Sequence, residues 1–168
     1  IRALSNGGLS GLTTAQVNNM GTQQVAAFSA EQLKVLSSNQ LVALSTAQAA
    51  VLTSGQMAGL APTQIAAMQT EDVAALTNGA IGAMSAAQVQ GLTTAQVAGL
   101  STTQAAGLGA AQAGALTSAQ LKAMETADLA KLGTSAVQAL NNTALAGLTT
   151  SQVANMGTAQ VAAFTDVQ

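Results

Sequence analysis

Residues 92–107 read LTTAQVAG and then LSTTQAAG, and they set the frame for the whole chain. With Leu92 as position 1, Thr93 is position 2, Gln96 position 5 and Val97 position 6, and Leu100 restarts the cycle. The same beat falls on Leu4, Leu12, Met20, Phe28 and Leu36 and continues to Leu148, Met156 and Phe164, every position 1 being Leu, Met or Phe. A period this strict marks an array in which each unit leans on its neighbours.

The octad reads as a capping problem. Position 2 is Ser or Thr in most units, among them Thr13, Ser45, Thr93 and Ser101, with Gly or Asn in most of the rest. Three residues later stands Gln, as at Gln16, Gln48, Gln96 and Gln104. Ser/Thr-x-x-Gln is the capping box, in which each side chain satisfies the other residue's backbone N–H at the start of a helix. Position 1 then precedes the cap and position 6 lies one turn into the helix, which is the hydrophobic staple. The single proline, Pro62, falls at position 3, the first helical site, where proline is favoured. Gly gathers at position 8, at Gly59, Gly91, Gly99, Gly107 and Gly147, where a short helix ends and the chain turns. Each unit is expected to be a helix of about six residues closed by a corner.

A continuous helix conflicts with this period, because eight residues at 3.6 per turn let the apolar stripe drift by roughly 80° per octad. A β-solenoid is the alternative. Positions 1 and 6 differ in parity, so a strand would send them to opposite faces, and the abundance of Ala favours helix. So short a helix is unstable alone, since nucleation costs too much. The expected fold is therefore all-α: a solenoid of short helices, one per octad, stacked around a thin core. Leu92, Val97, Leu100, Leu116, Leu121, Phe28 and Phe164 are the expected core, with the position 1 methionines as filler. The array spans 1–168 as one continuous domain without a linker, and both ends read as cuts through a longer array. A longer repeat overlies the octad: LTTAQVNNMGTQQVAAF (12–28) returns as LTTSQVANMGTAQVAAF (148–164). Four octads, opening at Leu4, Leu76, Leu132 and Leu140, have neither Gln nor Asp at position 5; their Asn-rich and Gly-rich openings mark either bends or drift, and we favour drift.

Composition narrows function. Charged residues are 6%, aromatics 1% and hydrophobics 49%, and no charge lies between Asp72 and Lys122. A net charge of −2 with two Phe offers neither a basic footprint nor a stacking platform, so nucleic acid is not an expected partner. The uncharged stretch 98–121 is long enough to cross a membrane, but its recurring Gln, Ser, Thr and Gly argue against a span. Without Cys or His there are no disulfides, no usual zinc site and no base for a nucleophilic Ser, so neither enzyme activity nor a cofactor is expected. The acidic groups Glu71, Asp72, Glu125 and Asp128 are the remaining candidates for chemistry; Asp72 and Asp128 stand at position 5 and read as helix-cap substitutes for Gln. Stacked Ser and Thr at positions 2 and 3 could also form a regular binding face.

The LTTAQV-type octads resemble tracts of very large secreted bacterial repeat proteins, often labelled adhesion or haem-utilisation exoproteins. The resemblance covers the whole chain and implies exposure at the cell surface and an adhesive or scaffolding role. It carries no site residues, and haem ligands of the His, Cys or Tyr type are absent. Two functions follow as expectations. The first is a structural segment of an extracellular filament, stalk or adhesin whose partner is itself, through a weakly charged surface. The second is a monomeric module that binds ice or glycan through a Ser/Thr face.

Overall fold

The computed structural model describes residues 5–168, so the first frame residue, Leu4, lies outside the described residues. It contains twenty helices of four to six residues and, among the described residues, no strand. One octad supplies one helix. Thr93 is extended at φ −70°, ψ 158° and caps Thr94–Ala98; Ser101, equally extended, caps Thr102–Ala106. The corner closes when the position 1 N–H donates to the position 6 carbonyl of the finished helix, as Leu100 does to Val97 at 3.3 Å.

No described residue has a positive φ. The corner therefore works without the left-handed cap expected of glycine, using two extended residues at positions 1 and 2 instead. The glycines at position 8 answer to the neighbouring turn. A Cβ on Gly59 would lie 2.8 Å from the Ala30 Cβ, and one on Gly91 2.9 Å from the Pro62 Cβ. Both are too close, so these glycines are set by backbone approach between turns rather than by turn conformation.

The size of a turn follows from which units touch. Each helix packs on the one three octads along, as Ala110–Gly114 does on Thr134–Ala139 and Ala30–Lys34 on Ser54–Gly59. Side-chain hydrogen bonds between turns span 28 residues, three and a half octads. Octads of successive turns are thus staggered by half a unit, so that position 5 of one turn stands over position 1 of the turn before.

The core is one column running through the solenoid, filled from positions 1 and 6. Leu92, Val97, Leu100, Leu116, Leu121 and Phe28 are buried in it, while Phe164, in the final turn, is partly buried. Position 6 is covered by the turn that follows: Val97 is 0% exposed, whereas Val153 and Val161, with no turn above them, are 49% and 52% exposed. Each large side chain fully buried in this way contributes on the order of 2 kcal/mol. Among the described residues no helix is long and apolar enough to cross a membrane. The uncharged stretch 98–121 is broken into Thr102–Ala106, Ala110–Gly114 and the start of Ser118–Ala123.

Candidate functional site

The distinctive polar feature is a ladder of buried glutamines. Thr93 N–H donates to Gln96 Oε1 at 2.9 Å, and Gln96 N–H donates to Thr93 Oγ1 at 3.1 Å. The same reciprocal box joins Thr13 with Gln16, Ser45 with Gln48, and Ser101 with Gln104. Where position 2 is Gly21, Ala61, Gly109 or Gly157, the glutamine half forms alone, from the backbone N–H to Oε1.

The cap uses only one end of the amide. At the other, Gln96 Nε2 donates to the carbonyls of Ile65 at 2.9 Å, Ala66 at 3.4 Å and Met68 at 2.7 Å, all in the turn before. Gln48 bonds Val17, Asn18 and Met20 in the same way, and Gln104 bonds Val73, Ala74 and Leu76. The pattern recurs from Gln40 to Gln64, from Gln88 to Gln120 and from Gln152 to Gln168. Those carbonyls belong to the last turn and corner of a helix: the one at position 6 also takes the N–H that closes the corner, as Ile65 takes that of Met68, while the one at position 1 lies beyond any intrahelical donor. One side chain thus starts its own helix and ends another. Sequence reasoning found the first role and missed the second, because a partner 28 residues away leaves no mark inside an octad.

The ladder breaks where position 5 is not Gln: at Asp72 and Ala80, and again at Asp128, Ala136 and Ala144. Asp72 and Asp128 stand seven octads apart, which is two turns, so both occupy one flank. Neither completes the expected cap box; their helices, Thr70–Ala75 and Thr126–Leu129, carry none. Aspartate is one methylene shorter than glutamine and falls short of the N–H that Oε1 reaches. Each carboxyl is nonetheless buried, with Oδ2 unpartnered. Burial raises both pKa values above 3.8, with Glu71 adding to the effect on Asp72 and Glu125 on Asp128; a hydrogen bond from Thr46 partly offsets it at Asp72.

The two breaks differ in their repair. Beside Asp72, Gln69 Nε2 donates to the Val42 carbonyl at 3.0 Å, filling in for part of the missing amide. Asn141 does the same for Ala144, donating to Gly114 at 2.9 Å and Leu116 at 3.3 Å. Beside Asp128, position 2 is Glu125, which has no donor to give. At the last turn an open hollow of about 350 Å³ is lined by Leu145, Leu148, Val153, Phe164 and Gln168; it is the uncovered end of the core.

A family model described as the ALTTAQ repeat matches residues 25–62, 65–102 and 121–158, together about two thirds of the chain. The chain belongs to the ALTTAQ repeat family. Each match begins at position 6, on Val25, Ile65 and Leu121, so the family unit of several octads keeps the octad phase. A search of the curated proteins finds no match.

Proposed function

We propose that this ALTTAQ array is a structural protein: a segment of an extracellular bacterial filament, stalk or adhesin that associates with further copies of the same repeat. The observation that carries the reading is the ladder, which fastens turn to turn along most of the chain and has no geometry for closing. The first and last described turns carry matching groups. Gln16 and Gln24 in the first turn use Oε1 for their own caps, and their Nε2 groups have no partner among the described residues. In the last turn the carbonyls of Met156 and Phe164 have no glutamine above them, and Val153 and Val161 are exposed. More octads, from the same chain or a second copy, would continue both the hydrogen bonds and the core.

The sides of the rod favour association as well. Between Asp72 and Lys122 they carry no charge, and weakly charged surfaces lack the repulsion that keeps copies apart. The extracellular setting draws on the resemblance of the octads to tracts of large secreted proteins. A Ser/Thr binding face is less favoured. Position 2 hydroxyls are engaged as helix caps, and the half-octad stagger brings like positions into line only on every second turn.

Electron microscopy of the purified chain, on samples whose helical content is set by circular dichroism, tests the proposal. Ordered filaments with a helical spectrum are expected. Dispersed short rods that persist as concentration rises would overturn self-association and return attention to the hydroxyl face.

A further inference from the structure

Asp128 lies where the ladder should have a donor and has an acceptor instead. At the intact rungs before and after the break, Gln120 Nε2 reaches the carbonyls of Val89, Gln90 and Leu92 at 2.9, 3.0 and 2.7 Å. Gln152 Nε2 reaches Leu121, Lys122 and Met124 at 2.9, 3.4 and 2.8 Å. The corresponding carbonyls for position 128 are those of Val97, Ala98 and Leu100. No side-chain amide reaches them; the Val97 carbonyl accepts the Leu100 N–H at 3.3 Å, and Asp128 Oδ2, on a side chain 1% exposed, has no partner. Buried oxygens gathered without a donor are costly, and each calls for a proton, a water or a cation.

The spacing selects among these. Aspartate is shorter than glutamine by one C–C bond, about 1.5 Å. A rung that closes at 2.7 Å with glutamine therefore opens to an oxygen–oxygen gap of roughly 4 Å with aspartate. A proton shared between two oxygens does not span such a gap, and a water, though long enough to bridge it, would leave the carboxylate charge uncompensated. Two metal–oxygen bonds of about 2.3–2.6 Å do, and carboxylate with main-chain carbonyls is the ligand chemistry of hard cations. Glu125, three residues earlier at the exposed cap position, adds a second negative charge beside the site. Among the described residues no three His, Cys, Asp or Glu side chains converge, so this site is made chiefly of main-chain oxygen.

We propose that Asp128 and the main-chain carbonyls of Val97, Ala98 and Leu100 bind a hard divalent cation of the calcium type, which ties two turns of the solenoid together where glutamine does so elsewhere. Asp72 is the internal contrast. Its Oδ2 is also unpartnered, but Thr46 hydrogen bonds its carboxyl and Gln69 supplies a donor to Val42, so fewer oxygens face one another there and no cation is expected.

The test uses the whole chain, stripped with chelator and titrated with calcium chloride, followed by calorimetry and by thermal unfolding at neutral pH. Wild type is expected to show a saturable rise in Tm and a single class of bound calcium. Asp128→Gln restores the amide donor and is expected to be more stable than wild type in chelator and indifferent to calcium. Asp72→Asn is expected to keep the calcium response. A wild type that binds no calcium, or an Asp128→Gln chain that still responds, overturns the proposal. So does stabilisation of the chelated chain by acid alone with no metal response, which would assign the gap to a proton.

Discussion

Gln96 and Met68 are joined across successive turns: the glutamine Nε2 donates to the methionine carbonyl at 2.7 Å, 28 residues back along the chain. The bond fixes the pitch of the array at three and a half octads, and it satisfies a carbonyl that the short helix before it leaves open. A helix of five residues leaves most of its backbone groups unpaired at one end or the other. Stacking helices of this length requires a donor and an acceptor for each end, and a glutamine amide supplies both.

Gln96→Ala should therefore cost more than an ordinary cap deletion. It removes the acceptor of the Thr93 N–H and the donor of the buried Met68 carbonyl, while the Ile65 carbonyl keeps the Met68 N–H. Replacing a cap residue alone costs about 1 kcal/mol. Loss of the inter-turn bonds, with their acceptors left buried, adds about 1–3 kcal/mol. Urea unfolding should place Gln96→Ala about 2–4 kcal/mol below wild type, and the end-turn variant Gln16→Ala, which has only the cap to lose, near 1 kcal/mol. Equal losses at the two sites would mean that the inter-turn bonds contribute nothing net.

The part of this architecture visible in the sequence is the part written within eight residues. Thr93 and Gln96 announce the cap, Leu92 and Val97 the staple, and the helix and corner follow. The turn is not written there, because Gln96 meets Met68 only after the solenoid has closed one circuit. Gly91 illustrates the same limit. Its place at the end of a helix suggests a left-handed cap, but the φ values exclude that and the contact that demands it, Pro62, lies 29 residues away. Asp128 reads locally as a weak glutamine substitute, and only the facing carbonyls give it another meaning.

Glycine substitutions separate the two explanations of those residues. Gly91→Ala drives a methyl to 2.9 Å from the Pro62 Cβ and 3.4 Å from its carbonyl. Overpacking of this kind costs about 1–3 kcal/mol. Gly55, inside the helix Ser54–Gly59, has nothing within 4 Å of an added Cβ. Gly55→Ala should gain up to about 1 kcal/mol from helix propensity. Opposite shifts in Tm for the two alanines are the expected result; a gain at both would remove inter-turn contact as the reason for Gly91.

Acid should stabilise the chain when divalent cations are absent. The folded-state pKa values of Asp72 and Asp128 are raised above 3.8, so the native state holds these protons more tightly than the unfolded state does. Their destabilising effect is absent below the unfolded pKa, grows as pH climbs toward the raised folded value, and is constant above it. The helices packed on Asp128, Thr102–Ala106 and Thr150–Ala154, carry no charge, nor do Thr46–Ala49 and Thr94–Ala98 beside Asp72. Glu125 and Glu71 on their own units are the near charges. Tm measured in chelator should thus rise as pH is lowered from 7 toward 4, and the slope should shrink in the double variant Asp72→Asn, Asp128→Gln. A slope unchanged by the substitutions would trace the pH dependence to other groups.

The half-octad stagger leads to a contrast between two deletions. Removal of residues 93–100 takes out one whole octad. Every later glutamine then still finds a position 1 carbonyl 28 residues behind it; Gln104, for example, would move from Leu76 to Met68. Removal of residues 93–96 takes out half an octad. Locally it joins Leu92 to Val97 and destroys one cap; across the next turn it sets position 5 over position 5, so that Gln104, Gln112 and Gln120 come to stand over Asp72, Ala80 and Gln88 instead of over position 1 carbonyls. Stability in a solenoid is a sum of units and of interfaces between neighbours, so the longer deletion should be the milder one. The eight-residue deletion is expected to keep a helical spectrum and a cooperative urea transition close to wild type, whereas the four-residue deletion should lower the midpoint sharply or split the transition in two. If the shorter deletion proves the better tolerated, adjacent turns are not held in register by the glutamines.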